Sequence, residues 1–100
     1  QFTLDANGRM LPGTNVEAAW TILSGFDIDV IGINCSTGPE HMRDTLRWLG
    51  EHSTLPVSCL PNAGMPLNEG GQVRYPMTPE RFADYMKEYV QDYGLNVVGG

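Results

Sequence analysis

Residues 29–39 read "DVIGINCSTGP", and the fold turns on this stretch. Asp29 to Cys35 is short and almost continuously apolar, the pattern of a parallel strand buried on both faces. A helix is expected to start near Pro39, because a first-turn proline is tolerated and Glu40 suits the helix dipole. Met42, Leu46 and Leu49 then share one face before Gly50. Toward the N-terminus, Thr14 and Glu17 form a capping box, Val16, Ala19, Trp20 and Leu23 recur at helical spacing, and Gly25 sits where a left-handed stop belongs. Toward the C-terminus, "LPVSCLP" (55–61) reads as another buried strand. Thr78 caps a third helix through Pro79, with Phe82, Met86, Tyr89, Val90 and Tyr93 inward and Gly94 as its stop. "FTL" (2–4) and "NVV" (96–98) supply strands at either end. The order β-α-β-α-β-α-β defines an α/β chain with right-handed crossovers and a parallel sheet. Pattern alone leaves barrel and open sheet both standing.

The chain has 100 residues, 41% of them apolar, which is enough for one packed core. Twelve acidic residues against six basic give a net charge of −6, so no basic stripe exists to neutralise phosphates. Nucleic acid and anionic membrane are therefore not expected as partners. No apolar run reaches the roughly 20 residues that span a bilayer, and no basic segment with an apolar core opens the chain. A cytoplasmic location is expected, where Cys35 and Cys59 would both stay reduced. The chain opens without Met inside a strand-like run and stops on another, "NVVGG", as expected of a piece of something longer.

In parallel α/β folds ligands bind beyond the carboxyl ends of the strands. That rule selects Asp5 and Asn7, then Asn34, Cys35, Ser36 and Thr37, then Asn62, and finally Gly99 and Gly100. The seventeen-residue connection from Pro61 to Met77 exceeds the usual length and is expected to cover or shape the site. Cys35 lies at a strand end just ahead of a helix N-terminus, whose dipole favours negative charge. Nucleophile, metal ligand and small buried hydrophobe all remain open for it. A nucleophile needs a base in reach, but His41 and His52 lie in and beyond the following helix. A zinc site needs four ligands, and the segment offers neither a C-x-x-C nor an H-E-x-x-H pair.

"GINCSTGPEHM" (32–42), "PNAGMP" (61–66) and the terminal "VVGG" (97–100), in this order and spacing, resemble the homocysteine-binding domain of cobalamin-dependent methionine synthases, a (βα)8 TIM barrel. The likeness covers the whole chain, and P-N-A-G favours that family over relatives using betaine or S-methylmethionine. It implies that residues 1–100 are one partial domain, strands five to eight of the barrel, lacking the earlier strands. The family's zinc is held by the cysteine of N-C-x-x-G-P, matching Cys35, and by two adjacent cysteines that follow V-G-G, here after Gly100. The asparagine of P-N-A-G, matching Asn62, is a weak additional ligand when substrate is absent. By this resemblance the segment carries half of a Zn2+ site that binds homocysteine as thiolate for methylation by methylcobalamin, giving methionine and cob(I)alamin. Cobalamin, folate and reactivation modules would lie elsewhere in the full enzyme.

The other positions carry plainer expectations. Cys59, in mid-strand and unused as a ligand in the family, belongs to the core. Asn34 is expected to bond neighbouring loops and position Cys35, and Asp5 to be either an outer group of the site or an exposed loop carboxylate. Gly99 and Gly100 make a strand-end turn or, by the resemblance, let backbone approach the metal. Thr37, Gly38 and Pro39 are helix-start residues, and the Phe82–Tyr93 stripe is core. No catalytic side chain is assigned, and a non-catalytic α/β scaffold is the competing reading.

Overall fold

The computed structural model describes residues 1–35 and 37–100. Three strands form a parallel sheet in the order β1 (Ile31–Asn34), β2 (Val57–Leu60), β5 (Val97–Val98). Ile31 pairs with Val57, Ile33 with Cys59, and Cys59 in turn with Val98. The N-terminal "FTL" contributes only an isolated parallel bridge from Phe2 to Ile33 rather than a full strand. The chain leaves the ladder at Asp5, whose carboxylate accepts from the Asn7 and Arg9 amides and turns the backbone away.

Alternation along β1 and β2 puts Ile31, Ile33, Val57 and Cys59 on one face, where each is at most 3% exposed. Leu46, Leu49 and Tyr89 from the helices pack onto that face, all at 0%. Each such leucine contributes roughly 1.5–3 kcal/mol by leaving water. The opposite face is closed at its middle by Gly32 and Ser58, because a Cβ at 32 would collide with the Ser58 side chain and carbonyl. It opens toward Asn34 and the exposed Leu60.

The helices are α1 (Val16–Leu23), α2 (Arg43–His52) and α3 (Pro79–Tyr93), and they pack side by side in that order. The cap of α1 is Asn15, which accepts from the Ala18 amide, rather than the expected Thr14. Its end at Ser24 is right-handed, so Gly25 is not a left-handed stop. A three-residue 3-10 turn, Pro39–His41, precedes α2, which starts four residues later than the proline suggested. Gly50 lies inside α2 because a Cβ there would run into the Tyr93 carbonyl, so glycine permits the α2–α3 approach. For α3 the expected signals operate: Thr78 accepts from the Arg81 amide, Pro79 opens the helix and Gly94 closes it at φ 73°.

The long connection contains an element not anticipated, the hairpin of β3 (Leu67–Glu69) and β4 (Gln72–Arg74). Gly70 and Gly71, both at positive φ, make its two-residue turn. With extents of 47 × 31 × 19 Å, the molecule is a slab of one helix layer over one sheet. Strand order follows chain order, with helices on a single face and no reversal among the described residues. No described helix is long and apolar enough to cross a membrane.

Candidate functional site

The carboxyl ends of β1, β2 and β5 bring three loops to one edge of the sheet. Cys35 continues the ladder by donating its N–H to Leu60 O at 2.9 Å, and its carbonyl accepts from the Thr37 amide at 2.7 Å. Its φ is 54°, so it is the one described non-glycine residue in the left-handed region, a conformation costing about 1–2 kcal/mol. The side chain is thereby turned off the sheet into an exposed position. Strain of this kind, held by surrounding hydrogen bonds, concentrates at functional positions.

Asn34 fixes the thiol from behind. Its Nδ2 donates to Cys35 Sγ at 3.3 Å while its Oδ1 accepts from Thr3 Oγ1 at 3.0 Å. The amide is thus oriented by the N-terminal segment and aimed at the sulfur. The Asn62 backbone N–H donates to Thr37 O at 3.3 Å, tying the 62–64 loop to the loop after Cys35. Gly99 donates to Cys59 O at 3.2 Å, and a Cβ on Gly100 would meet the Phe82 ring at 2.5 Å and Pro61 O at 3.2 Å. The end of β5 therefore runs beside Pro61, immediately before Asn62.

Asp5 is placed differently. Its Oδ1 is engaged by the Asn7 and Arg9 amides, so the carboxylate serves its own loop. Ser36 lies outside the described residues. Thr37 and Pro39 are buried, and the 3-10 turn that Pro39 opens gives the thiol no first turn of an α-helix. His41 is exposed with Nε2 3.9 Å from Glu40 Oε1, and His52 stacks on Trp48 at 4.2 Å. Neither ring is seen hydrogen-bonded to Cys35 among the described residues.

Cys59 contrasts with Cys35. It is fully buried, its Sγ lies 3.8 Å from Met42 Sδ, and burial pushes its thiol up to about 12. Tyr89, also raised by burial, donates its hydroxyl to Pro39 O and so anchors the 3-10 turn to α3. Sequence reasoning missed Thr3, which orients Asn34, and Gly64, and took Gly38 only as a helix-start residue, although a Cβ on it would collide with Gly64. The glycines stand out in the sequence, but Thr3 carries no signal until Phe2 is seen to pair with β1.

As a metal centre the edge would offer the Cys35 sulfur and the Asn62 amide oxygen, donor types that suit zinc. It supplies half the ligands of a closed site, and the described residues contain no group of three His, Cys, Asp or Glu able to hold an ion.

The parallel three-stranded sheet with its helices makes this an α/β protein, and the exposed thiol with an amide donor on its sulfur makes the carboxyl edge its candidate site. The chain matches the homocysteine S-methyltransferase family over residues 1–100 and belongs to it. It is 39% identical over 98 residues to the methionine synthase of Mycobacterium tuberculosis (strain ATCC 25618 / H37Rv), and 38% identical over 98 residues to that of Mycobacterium leprae (strain TN). Each match covers 98% of this chain and 8% of the relative's length.

Proposed function

We propose that the chain is a segment of a cobalamin-dependent methionine synthase, in which homocysteine accepts a methyl group on sulfur to give methionine. The observation that carries this is the exposed, strained Cys35 thiol bonded by Asn34, at an edge shared with the Asn62 loop, in a chain of this family. Sequential strand order and helices on one face support strands five to eight of a (βα)8 barrel, because a singly wound parallel sheet closes on itself when repeated. The small length share of the relatives supports further modules for cobalamin, folate and reactivation.

Cys35 and Asn62 would hold zinc together with two cysteines encoded beyond Gly100. Zinc bound there supplies the Lewis acidity that keeps a substrate thiol as thiolate at neutral pH. The chain's own residues prepare that position. Cys35 takes a left-handed turn, Asn34 bonds its sulfur, and the residue is exposed. Asn62, neutral and a weak donor, would be the ligand that a homocysteine sulfur could replace, and methylcobalamin, when bound, would supply the methyl group for that sulfur. Both cysteines are free thiols, in keeping with a cytoplasmic enzyme.

Zinc content of the full-length protein tests this reading. We expect one zinc per chain, lost in Cys35→Ser together with methyl transfer, while Cys59→Ala keeps the metal. Stoichiometric zinc retained by folded Cys35→Ser would refute it.

A further inference from the structure

Two loops meet at this edge more closely than side chains allow. A Cβ on Gly38 would collide with Gly64 Cα and would stand 2.6 and 2.7 Å from the two Glu40 carboxylate oxygens. A Cβ on Gly64 would lie 3.6 Å from Glu40 Oε1 and 3.6 Å from Met77 Cβ. Both glycines are buried, and Gly64 also needs its positive φ of 84°. The Glu40 carboxylate has folded back from the 3-10 turn to fill the notch between them. Its Oε2 is shielded from solvent and has no hydrogen-bond partner among the described residues. The rest of the side chain is partly exposed, with Oε1 3.9 Å from His41 Nε2, but a shielded acceptor oxygen without a partner calls for an explanation in a native fold.

Its neighbours supply one. Cys35 O is joined to the Thr37 amide, Thr37 O to the Asn62 amide, and Gly38 to Gly64, with Glu40 packed behind that last contact. The adjoining Pro39 carbonyl is held by the Tyr89 hydroxyl, so the base of the assembly is fixed to α3. We infer that Glu40 is a positioning residue, which with Gly38 and Gly64 braces the thiol loop against the Asn62 loop and so fixes the Asn62 backbone from which its side chain would reach toward the Cys35 sulfur. The inference rests on the reading of Cys35 and Asn62 as zinc ligands. It assigns Glu40 no contact with substrate or metal. Its effect passes through Asn62.

The test uses the full-length zinc-loaded protein without homocysteine. Zinc K-edge X-ray absorption counts sulfur and oxygen or nitrogen neighbours, and competition with a chromophoric chelator gives relative affinity. Asn62→Ala examines the underlying reading and should remove the oxygen neighbour. Glu40→Ala, with Asn62 intact, should remove or lengthen the same contact and weaken zinc about tenfold, the lower end of losses from groups that orient metal ligands. Glu40→Gln, which preserves shape, should restore both readouts. If Glu40→Ala does not fold, Glu40→Asp, shorter by one methylene, takes its place with the same expectation. An unchanged zinc shell in Asn62→Ala sinks the ligand assignment and the brace with it. Loss of the neighbour in Asn62→Ala, combined with wild-type coordination and affinity in the shortened Glu40 variant, overturns the brace alone. Glu40→Gln as defective as Glu40→Ala overturns it too, since packing would then not be the cause.

Discussion

Alkaline pH should destabilise this chain through a thiol that takes no part in the proposed chemistry. Cys59 is fully buried, and burial raises its pKa from 9.0 to about 12. A thiol is charged in its deprotonated form, so the folded state holds the proton while the unfolded chain releases it near pH 9. The folded state thus binds more protons above pH 9, and stability falls as pH rises toward the folded value. At pH 8 the unfolded thiol is still mostly protonated and the loss is negligible. At pH 10, one unit above the unfolded value and about two below the folded one, the loss is about 1.4 kcal/mol. Cys59→Ala removes this dependence and leaves a small cavity beside Met42, costing on the order of 1 kcal/mol at pH 8. Urea unfolding followed by circular dichroism at pH 8 and pH 10 checks both numbers. The wild-type chain should lose about 1.4 kcal/mol more than Cys59→Ala between the two, so that the variants become nearly equal at pH 10. The Tyr89 pKa is raised first by burial, which both proteins share, and then by Cys59 itself; the burial part cancels in the difference. Equal pH slopes in the two proteins would refute the argument.

The exposed and buried thiols should separate by chemistry as well: an aromatic disulfide reagent should modify Cys35 in the native chain at pH 8 and reach Cys59 only on unfolding, read as one and then two equivalents. Because Cys35 sits at φ 54°, Cys35→Gly should be more stable than Cys35→Ala by about 1 kcal/mol; the reverse order in urea melts would argue against strain there. Gly32→Ala should cost about 1–3 kcal/mol, since Ser58 backbone and side chain leave no room for a Cβ, and an unchanged midpoint would contradict the strand packing. The 100-residue chain alone, holding only Cys35 and Asn62 of the proposed ligands, should fail to retain zinc through dialysis, as measured by metal content.

Much of the architecture is legible because its signals are local. Thr78, Pro79 and Gly94 bound α3 by capping chemistry that acts within one turn, and the apolar runs around Ile33 and Cys59 mark buried strands at any register. Errors arise where a distant contact decides. Gly50 looks like a helix stop, yet glycine is required there because α3 crosses close by, a fact encoded forty residues away. Thr14 and Asn15 can both cap, Asn being the better by type, and the Arg9–Asn15 bridge fixes the backbone at Asn15. At the site, Cys35, Asn62 and the terminal glycines stand out by their place after strands, whereas the Asn34 contact with sulfur depends on an amide orientation that Thr3 sets. The hairpin was legible in principle, since Glu69-Gly70-Gly71-Gln72 is a two-glycine turn between short polar and apolar alternation.

The parallel sheet presents every strand's carboxyl end to the same side, so Cys35, Asn62 and Gly100 arrive on three separate connections rather than on one peptide. The proposed centre is divisible. Any one connection can be lengthened, exchanged or retuned while the strands beneath keep their register, and a descendant protein can acquire a new acceptor or donor by revising a single loop. The same division means that no excised peptide reproduces the centre, because its parts are neighbours only after the sheet has formed.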